Sequence, residues 1–316
     1  MDARIPIVII HGETATGKTR LAVELCEGFG AEVVNADSMQ VYRGMDIGTA
    51  KPTAEERGRA AFHLIDIADP IVAYSAGKFR DDADRAIREI HARGRLAIVA
   101  GGTMMYLKVL TSGLIDGPPL DRAFRDELKA REAREPGSLH ARLTEVDPEK
   151  ARELPRRDSI RIIRALEVYR ATGMRLSEMQ QAHRFADKPY DVLKVGIRRE
   201  GDDLRERIER RVREMVAAGF VNEVRNLLAL GVTRETPSMG AVGYLDMIAH
   251  IEGELTLEEA ITNTIQKTVR LAKKQRTWHR ADSEIRWFTL PGERNDVFRT
   301  VADWLADRRS NGEMSA

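Results

Sequence analysis

Residues 12–19 read Gly12, Glu13, Thr14, Ala15, Thr16, Gly17, Lys18 and Thr19, directly after the apolar run 5–10 and before an amphipathic segment beginning Leu21, Ala22, Val23. A glycine-rich loop between a strand and a helix, closing on Lys-Thr, is a P-loop. The glycines let backbone N–H groups point inward, and the helix N-terminus adds positive partial charge. Lys18 and Thr19 supply an ammonium and a hydroxyl for phosphates and Mg²⁺. The chain therefore opens on an α/β unit that binds a phosphorylated small molecule. An ordinary P-loop NTPase adds a second strand ending in an Asp that helps hold Mg²⁺. Here residues 96–100 run instead into Gly101, Gly102 and Thr103, and residues 64–67 place Asp66 inside an alternating pattern. Phosphate binding for a purpose other than ordinary ATP hydrolysis is expected.

Apolar runs at 5–10, 31–35, 63–67 and 96–100 alternate with helical patterns, which predicts an α/β fold with a P-loop NTPase-like parallel sheet core. Residues 1–116 form the first part of that core. A charged, helix-rich stretch, 117–190, broken at Glu135-Pro136-Gly137 and Asp147-Pro148, reads as an inserted helical domain. Residues 191–316 return a strand at 192–197, a long helix from Leu204, further helices to Trp278, an edge strand at 285–288 and a frayed polar tail from Arg308. A chain of 316 residues is long enough for two domains or for one with an insert. Its 51 Lys and Arg against 50 Asp and Glu leave any nucleic-acid surface to local clustering. The lone Cys26 sits in the apolar pattern after the P-loop, so a buried, reduced thiol is expected. With no signal-like start and no long apolar run, the expected location is cytoplasmic, without a membrane partner.

Asp37 lies just past the second strand, at the carboxyl end where open α/β sheets bind ligands. From position alone it is a metal ligand, a general base or an N-cap. Thr103 sits at the turn after the 96–100 strand and could equally cap the next helix. Arg211 borders the stripe Leu204, Ile208, Val212, Met215, either facing the pocket or pairing on the surface with Glu214. Residues 260–281 carry Lys267, Arg270, Lys273, Lys274, Arg276, Arg280 and Trp278 without a single acid, a stretch suited to phosphate backbones or to a plain surface. A second basic cluster places Arg157, Arg161 and Arg164 on one helical face, with Ile160, Ile163 and Leu166 on another.

The segment after Asp37 reads Asp-Ser-x-Gln-x-Tyr-x-x-Met-Asp-Ile-Gly-Thr-Ala-Lys-Pro, residues 37–52. It resembles the bacterial tRNA dimethylallyltransferases, and the likeness continues in order through His63-Leu64-Ile65-Asp66, Tyr74-Ser75, residues 101–106, residues 164–168, Val242-Gly243-Tyr244 and Gln275-Arg276-Thr277-Trp278. The resemblance implies that residues 12–19 cradle the diphosphate of dimethylallyl diphosphate, with Mg²⁺ at Thr19. It implies transfer of the dimethylallyl group to the exocyclic N6 amine of the adenine 3′ of the anticodon. Asp37 is then the base, Thr103 lies against adenine and diphosphate, and Arg211 binds diphosphate. The tRNA anticodon stem-loop is implied to meet Asp37, Ser38, Met39, Gln40, Thr103, Arg125, Ile160, Arg161, Ile162, Ile163, Arg164, Gly240, Ala241, Val242, Gly243, Tyr244 and Leu245, with Lys273 and Lys274 added from the basic run. The family likeness also implies a monomer. Three positions depart from it: Glu13 stands where proline is common, Leu245 where a polar residue is usual, and His279 where an aromatic often follows Trp278. The reading from another enzyme class is a small-molecule or nucleotide kinase with residues 157–164 as its lid; a nucleic-acid-binding ATPase is the third.

Overall fold

The computed structural model describes residues 4–115, 117, 118, 121–183, 188–199 and 201–310, the side chains of 201–203 excepted. Among these, six strands form one parallel sheet: β1 (Ile5–His11), β2 (Glu32–Asn35), β3 (Phe62–His63), β4 (Ala97–Ala100), β5 (Tyr190–Arg198) and β6 (Arg286–Thr289), in the order β3-β2-β4-β1-β5-β6. The continuous apolar character of β1 follows from burial on both faces, and Ile7, Val8, Ile9 and Ile10 are fully covered. Val8 and Ile10 pack in one cluster with Leu21 and Leu25 of the Lys18–Phe29 helix and with Val297, Val301 and Trp304 of the Arg294–Ser310 helix. The Ala76–Ala92 helix packs against β2 and β4.

The returning strand and the edge strand expected near 192–197 and 285–288 are β5 and β6. Two expectations are corrected. The strand at 63–67 ends at His63, because Leu64 and Asp66 have positive φ, and extended pairing cannot continue through left-handed non-glycine residues. Asp66 is drawn aside to Lys51 and Arg57. The tail does not fray at Arg308: the last helix runs to Ser310, and Arg308 pairs with Asp191. Cys26 is a free buried thiol, and burial pushes its pKa up to about 12.

The chain divides into two units, Met1–Thr111 with Pro189–Ala316, and Ser112–Lys188. The second unit is helical, and its core is Phe124, Leu128, Leu139, Leu143, Ile162, Ile163 and Leu166. Its breaks fall at the sequence signals. Gly137 precedes the Ser138–Val146 helix, and Asp147 accepts the Lys150 N–H at the start of Pro148–Glu153.

In the first unit, Glu223 anchors the loop after Tyr42. Its carboxylate accepts the N–H groups of Asp46, Ile47 and Gly48 at 2.7, 2.6 and 3.0 Å and the Tyr244 hydroxyl at 2.7 Å. Removing it strands three N–H donors. Glu223→Ala is expected to lower stability in urea unfolding by about 3–5 kcal/mol, and a loss under about 1 kcal/mol would contradict the anchoring role.

Candidate functional site

The P-loop sits at the carboxyl end of β1, beside the carboxyl ends of β2 and β4. Gly17, immediately before the helix, has φ 101°, a conformation that favours glycine. Gly101 lets the loop after β4 approach Ala36 after β2, because a Cβ there would lie 2.2 Å from the Ala36 carbonyl oxygen. Thr103 N–H donates to the Ala36 carbonyl at 3.2 Å. The Thr103 hydroxyl accepts the Ser38 N–H at 2.9 Å and donates to the Ser38 hydroxyl at 3.1 Å. The hydroxyl ties two strand ends together, while the Thr103 carbonyl accepts the Tyr106 and Leu107 N–H groups at 2.9 and 3.3 Å at the start of the helix that follows.

Two cavities of the first unit share the walls Thr14, Asp37, Gly102 and Arg211. The first, about 390 Å³, adds Gly17, Lys18, Thr19, Gln40, Lys51, Arg207 and Arg210. The second, about 230 Å³, adds Thr103, Ser38 and Met39 and a more apolar lining that includes Ile208, Val212, Met215, Phe220 and Val242. One end is thus cationic and the other greasy, with Asp37 at the junction. Asp37 Oδ1 accepts the Met39 N–H at 2.9 Å, and its own N–H donates to Asn35 Oδ1 at 3.3 Å. The carboxylate is held by its own turn.

Lys18 Nζ donates to the Gly12 and Glu13 carbonyls at 2.9 and 2.8 Å. Desolvation lowers its pKa to about 8, with Arg211 acting in the same direction and Asp37 opposing them. Burial also lowers the Arg211 pKa, again against Asp37. The surface pairing considered for Arg211 belongs instead to Arg210, 3.9 Å from Glu214; Arg211 itself faces both cavities.

Arg207 and Arg199 hold this site without a sequence motif, and Gln275 lies in a matched block that gave it no role. Arg207 Nε donates to the Ala15 carbonyl at 3.1 Å, and Arg199 Nε to the Thr16 carbonyl at 3.2 Å. Gln275 accepts the Thr14 N–H and donates to the Gly102 carbonyl, both at 2.8 Å, tying the P-loop to the loop after β4. Arg207 had one available signal: it lies four residues before Arg211, on the same helical face.

The expected tRNA contacts divide by exposure. Ile160 and Arg161 are exposed, but Ile162 and Ile163 are core residues of the second unit, so the expected face of Ile160, Ile163 and Leu166 is replaced by Ile162, Ile163, Ala165 and Leu166. Arg157 precedes the helix, whose N-cap is Asp158. Arg125 and Arg164 both turn inward onto Glu167, with Arg125 bidentate at 2.9 Å and Arg164 at 2.7 Å. Although burial alone would raise it, these hydrogen bonds hold the Glu167 carboxyl at about 2. In the first unit, Ala241, Gly243 and Tyr244 are buried, whereas Gly240 and Leu245 are exposed and Val242 lines the apolar cavity. Gln40 donates to the Thr49 and Ala50 carbonyls at 3.1 and 3.2 Å.

The basic run lies on the Leu257–Arg280 helix. Two of its cations are matched by distant acids, Lys267 by Asp246 at 2.6 Å and Arg276 by Glu13 at 2.6 Å. Lys273 and Lys274 are exposed and make no ion pair among the described residues. His279, in place of an aromatic, is buried edge-on to His11 and Trp287.

Residues 40–282 match the IPP transferase family. A tRNA dimethylallyltransferase of Geobacter metallireducens is 50% identical over 301 residues, covering 95% of this chain and 97% of the relative. Among solved structures, a tRNA isopentenylpyrophosphate transferase from Bacillus halodurans aligns with TM-score 0.73 and 36% identity, covering 98% of this chain and 99% of that one. A eukaryotic dimethylallyltransferase acting on tRNA aligns with TM-score 0.83 and 26% identity, covering 96% and 80%.

Proposed function

We propose a reaction from one premise: this chain belongs to the IPP transferase family, the tRNA dimethylallyltransferases. It transfers a dimethylallyl group to tRNA, and the kinase reading is set aside. The donor is dimethylallyl diphosphate, and the acceptor is the N6 amine of the adenine 3′ of the anticodon. The observation that carries this reading is the junction of the two cavities, where Asp37 and Arg211 wall both the cationic P-loop end and the apolar end.

An adenine amine is a poor nucleophile, so the electrophile must ionise readily and a base must take the proton. As the allylic carbon–oxygen bond breaks, negative charge gathers on the diphosphate. Lys18 and Arg211, which line the first cavity, stabilise it together with the loop N–H groups. Asp37, beside them, accepts the amine proton, and Thr103, which lines the second cavity with it, lies against the adenine and the diphosphate. Extruding a loop adenine towards Asp37 is inexpensive compared with opening a duplex. The donor set suits Mg²⁺, which takes few protein oxygens alongside phosphate and water; Thr19 would hold it, and the ion would neutralise leaving-group charge.

Among the described residues no helix is long and apolar enough to cross a membrane. A cytoplasmic monomer acting on the tRNA anticodon stem-loop is the form in which we expect the enzyme to work. Lys273 and Lys274 then supply backbone phosphate contacts. Replacing both with Gln is expected to weaken tRNA binding and reduce the slope of log K against log salt by about 1–2; an unchanged slope would remove this helix from the interface. The reaction itself is tested by mass analysis of tRNA after incubation with dimethylallyl diphosphate, where a gain on one adenine is expected.

A further inference from the structure

Glu13 puts a carboxylate inside a loop read as a cradle for a polyanion. Its side chain is only 6% exposed, and Oε1 accepts from Arg276 Nε at 2.6 Å. Arg276 reaches it from the Leu257–Arg280 helix, and the preceding residue fixes that helix turn over the loop. Gln275 holds both the Thr14 N–H and the Gly102 carbonyl. Lys18 already lies on the Glu13 main chain, with Nζ 2.8 Å from its carbonyl oxygen, and the Glu13 charge favours the ammonium form of Lys18.

We propose that Arg276 is a positioning residue for the anion cradle: by holding the Glu13 carboxylate against the helix, it leaves the Lys18 ammonium free to meet an incoming diphosphate. This rests on the reading of residues 12–19 as a diphosphate site. Without Arg276 the buried carboxylate has no partner among the described residues, and breaking such a pair exposes an uncompensated charge. Lys18 is a cation that already feels the Glu13 charge. Whether Glu13 recruits it or stands alone as a like charge, the anion binds less well. The same pairing spends one cation of the basic helix on the loop, so Arg276 differs in role from Lys273 and Lys274.

The test combines Arg276→Gln, Glu13→Gln and the double variant, using the full chain. Inorganic diphosphate binding is measured by calorimetry, and KM for each substrate and kcat by steady-state transfer. Arg276→Gln is expected to weaken diphosphate binding and raise the donor KM by at least about tenfold. kcat and the tRNA KM, measured well below the unfolding temperature, should stay within about threefold, although the melting temperature falls because the Glu13 carboxylate loses its partner. Glu13→Gln sets its own reference level, and in that background the further loss caused by Arg276→Gln should be under about threefold. A rise confined to the donor KM and to diphosphate binding, with kcat and the tRNA KM kept, is what a purely structural role for Arg276 would not give. The proposal is overturned if Arg276→Gln costs as much in the Glu13→Gln background, if only the tRNA KM moves, or if diphosphate binding is unchanged. If the parent chain binds diphosphate but transfers no dimethylallyl group, the reaction assignment fails while the binding arm still judges Arg276.

Discussion

Asp37→Asn is expected to slow single-turnover dimethylallyl transfer by about 10²–10⁴-fold, which corresponds to about 3–5.5 kcal/mol of barrier. Asparagine keeps an oxygen for the Met39 N–H, so the turn that presents the side chain survives. What is lost is the capacity to take a proton. Asp37 also lies among Lys18 and Arg211, where its charge opposes that of the incoming diphosphate. The donor therefore binds the Asn variant no more weakly, and tRNA affinity should stay within a few-fold. Single-turnover rates near those of the parent would remove Asp37 from the role of base. A matching loss of donor binding would instead make it a binding group.

Lys18→Met should reduce kcat/KM for the donor by about 10²–10³-fold, the cost typical of removing one donor from a developing anion. Methionine keeps much of the length and apolar stem, so the defect reports the ammonium. The parent carries a pH signature with the same origin. Desolvation lowers Lys18 in the free protein to about 8, and a bound polyanion must raise it again. Binding above pH 8 is therefore coupled to proton uptake. Diphosphate affinity stays flat below pH 8 and falls, by up to about tenfold per pH unit, above it. Lys18→Met should abolish that fall. Persistence of the same slope in the variant would assign the titration to another group.

The P-loop, the strands β1, β2 and β4 and the place of Asp37 just past β2 were legible because each rests on local chemistry. A continuous apolar run implies a strand buried on both faces, and a glycine loop before a helix implies an anion site. Leu64 and Asp66 were misread because an alternating pattern carries no sign of left-handed φ. The ion pairs of Arg125, Arg164 and Glu13 were equally hidden. Their partners, Glu167 and Arg276, lie 42, 3 and 263 positions away, and for Arg276 no local pattern announces the pairing. The acid-free run at 260–281 shows the same limit, since its balancing acids, Asp246 and Glu13, come from other elements. Glu223 and Gln275 organise the site through backbone groups, and neither has a spacing that sequence periodicity can register.

The most direct test of the central claim offers the chain both dimethylallyl diphosphate and ATP, with Mg²⁺ and unmodified tRNA, and follows both phosphate products and the mass of the tRNA. One dimethylallyl group on a single adenine, matched by one diphosphate released and with ATP left intact, is the predicted result. ATP turnover in the P-loop with the isoprenoid donor untouched would contradict it.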